Sequence, residues 1–369
     1  MHSSGGFIVN PRPRVSRSSA AVYATTQLEE LSSMTTLSID SGDLEVIEAF
    51  AKLGCISDAT TNPLFVAQAG QSGDPVYKAM VDESVTSAVK SAGSSNLNEI
   101  TALAMDTLAV TLGAKISALV PGFVSTEVDP RLSFDMEASV AKGRRIISLY
   151  EERGIPRSRI LIKLAATWEG IQAAKKLEAE GITCNLTLIF SVTQAIACGQ
   201  ADVRLISPFP GRILDWHNAK RSTIPATPSE DEGVMAVVKM HHYYRAFSHE
   251  KTILMPASWR PSRGTSSPDF MLDEIRALAG VDRMTIPAPL LQMLQDSTDP
   301  LPRVLHNKGW GESSPLAGEE VVMDEKTFRY MMTMDGCGND KLGEGLRAFC
   351  DLTDELEQAI KFKVETKLN

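Results

Sequence analysis

The run Ile160-Leu161-Ile162-Lys163-Leu164-Ala165 sets one lysine among five apolar residues. In an extended chain successive side chains point to opposite faces, so Leu161, Lys163 and Ala165 share one face and Ile160, Ile162 and Leu164 the other. A run that is nearly all apolar, rather than alternating, suits a parallel strand covered on both sides. Seven further runs of this kind occur, at 36–40, 55–60, 116–120, 183–190, 203–207, 252–257 and 283–288. Helix-like stretches separate them. Residues 136–150 carry apolar groups at helical spacing, and residues 167–180 begin at a threonine suited to capping and end before Gly181. Eight βα units in one chain predict an α/β protein with a closed (β/α)8 TIM barrel rather than an open doubly wound sheet. No G-x-G-x-x-G follows any run, which removes the support for a dinucleotide fold. Leu342, Leu346, Phe349, Leu356 and Ile360 add a C-terminal helix packed across the barrel. Residues 260–269 form a Pro/Ser-rich loop after the seventh run, and residues 297–325 a surface stretch.

At about 150 residues per domain, 369 residues allow one or two domains. An apolar fraction of 43% and a charged fraction of 22% exclude disorder over the whole length. With 37 basic and 46 acidic residues the net charge is −9, which argues against coating nucleic acid. No apolar run in the sequence approaches the ~18–20 residues that span a bilayer, so no membrane partner is expected. Cys55, Cys184, Cys198, Cys337 and Cys350 form no C-x-x-C pair. A disulfide scaffold or zinc ribbon is therefore not expected, and a reducing compartment is.

The first 26 residues carry Arg12, Arg14, Arg17 and five serines, and the first acid is Glu29. Such a composition reads as an organelle transit peptide, here for the chloroplast (plastid stroma), with Ala20-Ala21-Val22-Tyr23-Ala24 as a place for cleavage. The alternative is a disordered tail or cloning remnant on a cytoplasmic protein, as Met1-His2-Ser3-Ser4-Gly5 allows. Losing the three arginines would take the net charge from −9 to −12. Residues 27–369 are then a single barrel domain.

Barrels place their chemistry at the C-terminal ends of the strands. Those ends carry Asp40, Asn62, Glu127, Lys163, Asn185, Thr187, Ser207 and Ser258. If the larger aliphatics of 160–165 face the helices, Lys163 points into the barrel. A buried ammonium is costly, whereas a lysine in its free-amine form attacks carbonyls to give a Schiff base. The structural alternative is a lysine paired with Glu127 or Asp40. Asp40 and Asn62 could equally be turn or cap residues, Glu127 could pair with Arg131, and Arg212 and Arg260 could form surface salt bridges. Together, arginine, serine and backbone N–H groups after late strands suit a phosphate. His241-His242 lacks a partner at metal spacing and reads as structural; no metal site is expected.

Asp40-Ser41-Gly42-Asp43, Asp58-Ala59-Thr60-Thr61-Asn62-Pro63, Val124-Ser125-Thr126-Glu127-Val128-Asp129, residues 160–168 (ILIKLAATW), 184–190 (CNLTLIF) and 207–216 (SPFPGRILDW) together resemble the transaldolase family. The likeness runs from about residue 35 to 291. It implies a class I aldolase barrel with no metal or organic cofactor, acting on sugar-phosphate substrates in the pentose phosphate pathway. A dihydroxyacetone unit would pass from sedoheptulose 7-phosphate to glyceraldehyde 3-phosphate, giving erythrose 4-phosphate and fructose 6-phosphate. By the same resemblance Lys163 is the Schiff-base lysine and Asp40 the acid/base at the donor's C4 hydroxyl. Glu127 and Thr187 hold a proton-shuttling water. Asn62, Asn185 and Ser207 contact the dihydroxyacetone moiety, and Arg212, Ser258 and Arg260 hold the phosphate. Phe209 fits transaldolases, whereas the related fructose 6-phosphate aldolases tend to carry tyrosine there. Phe123 and Ala166 depart from the common family residues, arginine and serine, and the loop after Arg260 is longer. The competing readings are an aldolase releasing free dihydroxyacetone and a catalytically silent sugar-phosphate sensor. The sequence leaves open a homodimer and redox control through Cys198 or Cys337.

Overall fold

A computed structural model describes residues 24–93, 95–306 and 320–369. Eight parallel strands follow one another around a barrel: β1 (Thr36–Asp40), β2 (Ile56–Thr60), β3 (Val124–Glu127), β4 (Ile160–Ala165), β5 (Cys184–Ile189), β6 (Leu205–Pro208), β7 (Ile253–Leu254) and β8 (Arg283–Pro287). From β1 to β7 each strand pairs with the next, and β8 pairs with β1. The β7–β8 seam is closed by Thr285 N–H donating to Pro256 O at 3.1 Å and by the Trp259 indole N–H donating to Thr285 O at 2.7 Å. The architecture is the (β/α)8 barrel expected from the repeated apolar runs.

The faces of β4 divide as alternation requires. Ile160, Ile162 and Leu164 join the large core between strands and helices, while Leu161 packs with Leu205 and Met255 inside the barrel. Ala165 joins a third cluster, with Leu188, Phe190, Phe209 and Leu346. Lys163 lies between Leu161 and Ala165 in the strand and is 3% exposed.

Two expectations fail here. Residues 116–120 are not the third strand: they end the helix Leu97–Ser117 and the turn after it. Ile100, Ala104, Leu108, Leu112 and Ile116 are all buried at intervals of four, a helical stripe whose last member opened the apolar run. The true β3, Val-Ser-Thr-Glu, is too short and polar to stand out. The same helix overturns the statement that no segment is long and apolar enough to span a bilayer, since its 21 residues are. It is nonetheless a packed helix, 56% buried over that window, with Asp106 paired to Lys142 and Arg145 at 2.9 and 3.0 Å.

At 252–257 only Ile253–Leu254 is regular strand, although Met255 and Ala257 still donate to β6 carbonyls at 2.9 Å. An unforeseen helix, Gln27–Met34, precedes β1, held by a reciprocal capping box of Thr26 and Glu29. The proposed presequence lies mostly outside the described residues. All five cysteines are free thiols, and burial pushes Cys337 up to about 12. The C-terminal helix Gly336–Leu368 buries Leu346, Leu356 and Ile360 and crosses the mouth of the barrel. There Gly345 lies against Leu188 of β5.

Candidate active site

The barrel interior is layered. Leu161, Leu205 and Met255 close its N-terminal end with Phe123 and Ile253, so Phe123 is an apolar plug residue; the Arg283 guanidinium sits 5.2 Å from its ring. Above that floor is a polar belt. Ser38 and Thr60 hydroxyls are 2.9 Å apart, and Thr60 and Thr285 hydroxyls 3.1 Å. Asn185 donates through Nδ2 to Ser125 Oγ at 3.1 Å and accepts from Ser207 Oγ at 2.8 Å. Ser38, Thr60, Ser125 and Thr285 were not singled out in the sequence. The signal was available, because Ser38 and Ser125 stand two residues before Asp40 and Glu127 and so share their faces.

Lys163 rises from this belt. Its Nζ is 3.0 Å from Glu127 Oε2 and donates to Thr61 O at 3.3 Å. β3 and β4 are registered so that Glu127 and Lys163 are direct partners, and Asn185 of β5 stands beside Lys163 on the other side. Both members of the ion pair are almost wholly buried, with side chains 4% and 5% exposed. Burial raises the Glu127 carboxyl above its usual range, and Lys163 opposes that rise. The structural alternative for the lysine is thus present as a real ion pair. Arg131 is not Glu127's partner, since it binds Asp129, Asp354 and Glu357.

Asp40 ends β1. It is not the cap of the helix Leu44–Ala51: Asp43 Oδ1 accepts from Glu45 and Val46 N–H at 3.0 and 3.1 Å. Burial lifts the Asp40 carboxyl from 3.8 to about 6, against the opposing charge of Lys163. Asn62 does cap, with Oδ1 accepting Phe65 N–H at 3.2 Å at the start of the helix Pro63–Gln71. The Thr187 hydroxyl is buried with no protein partner among the described residues.

The late strands supply the cationic rim. Arg212, in the first turn of the helix Pro210–Asn218, lies 5.5 Å and 6.0 Å from the Phe190 and Phe209 ring centres. Those two rings meet edge to face at 5.7 Å. Arg212 pairs with Glu344 of the C-terminal helix at 3.3 Å, and Arg260 with Asp215 at 3.1 Å. The salt bridges foreseen as an alternative are therefore made. At Gly211, next to Arg212, the backbone lies against the loop after β7: a Cβ there would strike Ser258 O and stand 2.8 Å from Arg260 N. Ser258 itself has φ +65°, a conformation disfavoured for residues with a Cβ. His241 and His242 are buried in the helix Glu232–Ala246.

A closed (β/α)8 barrel with a buried amine, one carboxylate against it and an arginine pair on the rim defines an enzyme of the barrel class. The sequence profile described as transaldolase/fructose-6-phosphate aldolase matches residues 37–360. A transaldolase of Rhizobium rhizogenes is 46% identical over 326 residues, covering 88% of this chain and 94% of its own. A transaldolase of Cellvibrio japonicus is 44% identical, covering 92% of this chain and all of its own. One of Sus scrofa is 44% identical, with 90% and 93% covered. The chain belongs to the transaldolase/fructose-6-phosphate aldolase family.

Proposed function

We propose that this chain is a transaldolase of the pentose phosphate pathway, moving a dihydroxyacetone unit from sedoheptulose 7-phosphate to glyceraldehyde 3-phosphate through an imine on Lys163. The observation that carries the reading is the buried amine 3.0 Å from Glu127 with Asp40 nearby. The amine adds to the donor's C2 carbonyl, and the carbinolamine loses water to become an iminium. Glu127, whose proton affinity burial has raised, and the Thr187 hydroxyl, without a partner among the described residues, are suited to relay protons through a water in these steps. Asp40 takes the C4 hydroxyl proton as the C3–C4 bond breaks, the iminium collects the bonding electrons as an enamine, and the aldehyde product leaves. The enamine then attacks glyceraldehyde 3-phosphate, Asp40 returns the proton, and hydrolysis frees fructose 6-phosphate and the lysine.

In this account Asn185 and Ser207, already oriented by their mutual hydrogen bond, hold the dihydroxyacetone hydroxyls, with Asn62 at the rim. Arg212, Ser258 and Arg260 hold the phosphate, and Phe209 forms the wall beside it. Both arginines must then exchange a carboxylate, Glu344 or Asp215, for the phosphate. Incubation with fructose 6-phosphate, borohydride reduction and peptide mapping tests the mechanism. The label is expected on Lys163 and lost in Lys163→Arg, since a guanidinium cannot form the imine. A label on another lysine overturns it.

Residues 1–26 are proposed to direct import into the plastid stroma, on their Ser/Arg-rich, acid-free composition. A reporter carrying this segment that stays in the cytosol of a photosynthetic cell refutes that.

A further inference from the structure

Glu274 belongs to the short helix Asp273–Ala277 and is completely buried. Its Oε2 accepts the backbone N–H of Arg260 at 2.6 Å, while Oε1 is buried without a partner among the described residues. Close to it is a second fully buried acid, Asp231, which caps the helix Glu232–Ala246 and accepts Ser262 Oγ at 2.6 Å. Arg263 is held by Asp273 at 2.6 Å, and the Arg260 guanidinium by Asp215. Every non-proline residue from 259 to 263 is thus tied to a fixed element, the Trp259 indole to β8 included.

Two of these ties grip the main chain: Asp273 Oδ2 accepts Arg263 N–H at 3.3 Å, and Glu274 takes the shorter bond, from Arg260 N–H, next to the arginine assigned to the phosphate. An ionised carboxyl beneath a loop that would receive a dianion would be electrostatically unfavourable. Ser258, two residues before, has φ +65°, a conformation that persists only when its surroundings hold it. The fixed Arg260 N–H is one such restraint.

We propose that Glu274 is a positioning residue for phosphate recognition: its carboxyl holds the Arg260 N–H and so keeps Ser258 and Arg260 directed at one phosphate. The inference rests on the assignment of Arg212, Ser258 and Arg260 as the phosphate grip. Burial and the neighbouring Asp231 raise the proton affinity of Glu274 well above the usual carboxylate range, with Asp215 adding to this and Arg260 opposing. A carboxyl that keeps its proton puts less negative charge behind the bound phosphate.

The test separates reach from charge. Glu274→Gln keeps an acceptor at the same distance, whereas Glu274→Asp keeps the acid but retracts it by about 1.5 Å. The readouts are the ratio of kcat/KM for glyceraldehyde 3-phosphate to that for glyceraldehyde, and the inhibition constant of inorganic phosphate. Glu274→Asp is expected to lower the ratio about tenfold and weaken phosphate inhibition in parallel, while Glu274→Gln stays within about twofold of the parent enzyme. Glu274→Ala, which removes the acceptor, should follow the aspartate variant and serves if that variant does not fold. Arg260→Ala is the reference. If it lowers the ratio while the Asp and Ala variants do not, this inference fails and the phosphate grip stands. If Arg260→Ala leaves the ratio unchanged, both fail. Equal losses on the two acceptors in Glu274→Asp, or a glutamine variant as impaired as the aspartate one, also overturn the proposal.

Discussion

Replacing Asp40 with asparagine should stabilise the protein at neutral pH and disable it at the same time. Asp43 caps the helix after β1, so the exchange removes no cap. Burial lifts the Asp40 carboxyl from 3.8 to about 6 with Lys163 acting against it, so the folded state holds this proton more tightly than the unfolded chain. Between about pH 4 and pH 6 the folded protein binds more protons, and its stability falls as pH rises through that window. Above pH 6 the whole cost of the buried anion is present. A shift from 3.8 to about 6 corresponds to roughly 3 kcal/mol, an upper bound because the half-buried residue still meets water at the mouth. The neutral amide escapes that cost. For a chain this long, 3 kcal/mol corresponds to a Tm gain of about 2–4 °C at pH 7.5, fading to nothing near pH 4. Over the same comparison kcat should fall by roughly 10²–10⁴, because the amide cannot accept the C4 hydroxyl proton. Calorimetry at pH 7.5 and 4.5, a coupled transaldolase assay and borohydride trapping together read the outcome. Trapping on Lys163 should survive, since imine formation precedes bond cleavage. A stabilised variant with near-normal kcat would reduce Asp40 to a buried acid and pass its role to Glu127. A lowered Tm at pH 7.5 would mean that the carboxylate makes a structural contact instead.

Lys163→Met should lose about 3–5 kcal/mol at neutral pH by stranding the Glu127 carboxylate, and recover as pH falls and that group takes up a proton. Adding Glu127→Gln should restore most of it; equal stability of single and double variants at pH 7.5 would deny the pair any weight. Arg212→Ala should raise KM for phosphorylated sugars far more than for unphosphorylated analogues, since a charge-assisted contact is worth roughly 1.5–3 kcal/mol. Equal losses on both substrate types would show that Arg212 does not read the phosphate. Gly211→Ala should weaken phosphate inhibition, because its Cβ would stand against Ser258 O and Arg260 N; an unchanged inhibition constant sinks that argument.

What could be read from the sequence follows the range of the interactions involved. Strand alternation is local, so the inward face of Lys163 was readable from six residues, and the packing of Leu161 and Ile162 into different clusters bears it out. The third strand was misplaced because Ile116 belongs to a stripe of period four that begins at Ile100, whereas β3 offers only Val124 as a fully apolar signal. The cap reading of Asp40 failed because Asp43, three residues on at the end of the same turn, makes the capping bonds. Asp215, Glu274 and Glu344 escaped notice for another reason. Glu274 and Glu344 reach the site's arginines from 14 and 132 residues away in the chain, and Asp215 reaches Arg260 from 45. No local pattern announces such partners.

The sequence posed Lys163 as either a structural lysine paired with a carboxylate or a nucleophile, and the ion pair is compatible with the mechanism proposed above. An ammonium on a dry barrel wall needs a counter-charge, and Glu127 supplies it at 3.0 Å. A nucleophilic amine must lose a proton to something, and the same carboxylate is the nearest acceptor. Burial raises the proton affinity of Glu127, so passing the proton across 3.0 Å replaces two buried charges with two neutral groups. The amine is then set free by moving one proton, without pulling the side chains apart. In the proposed mechanism Asp40 stays outside this exchange, and its carboxyl, raised to about 6 by burial, is the group for the later proton at the substrate hydroxyl. That mechanism calls for two acids because its two protons move at different stages, and β1 and β3 carry one each beside the lysine on β4.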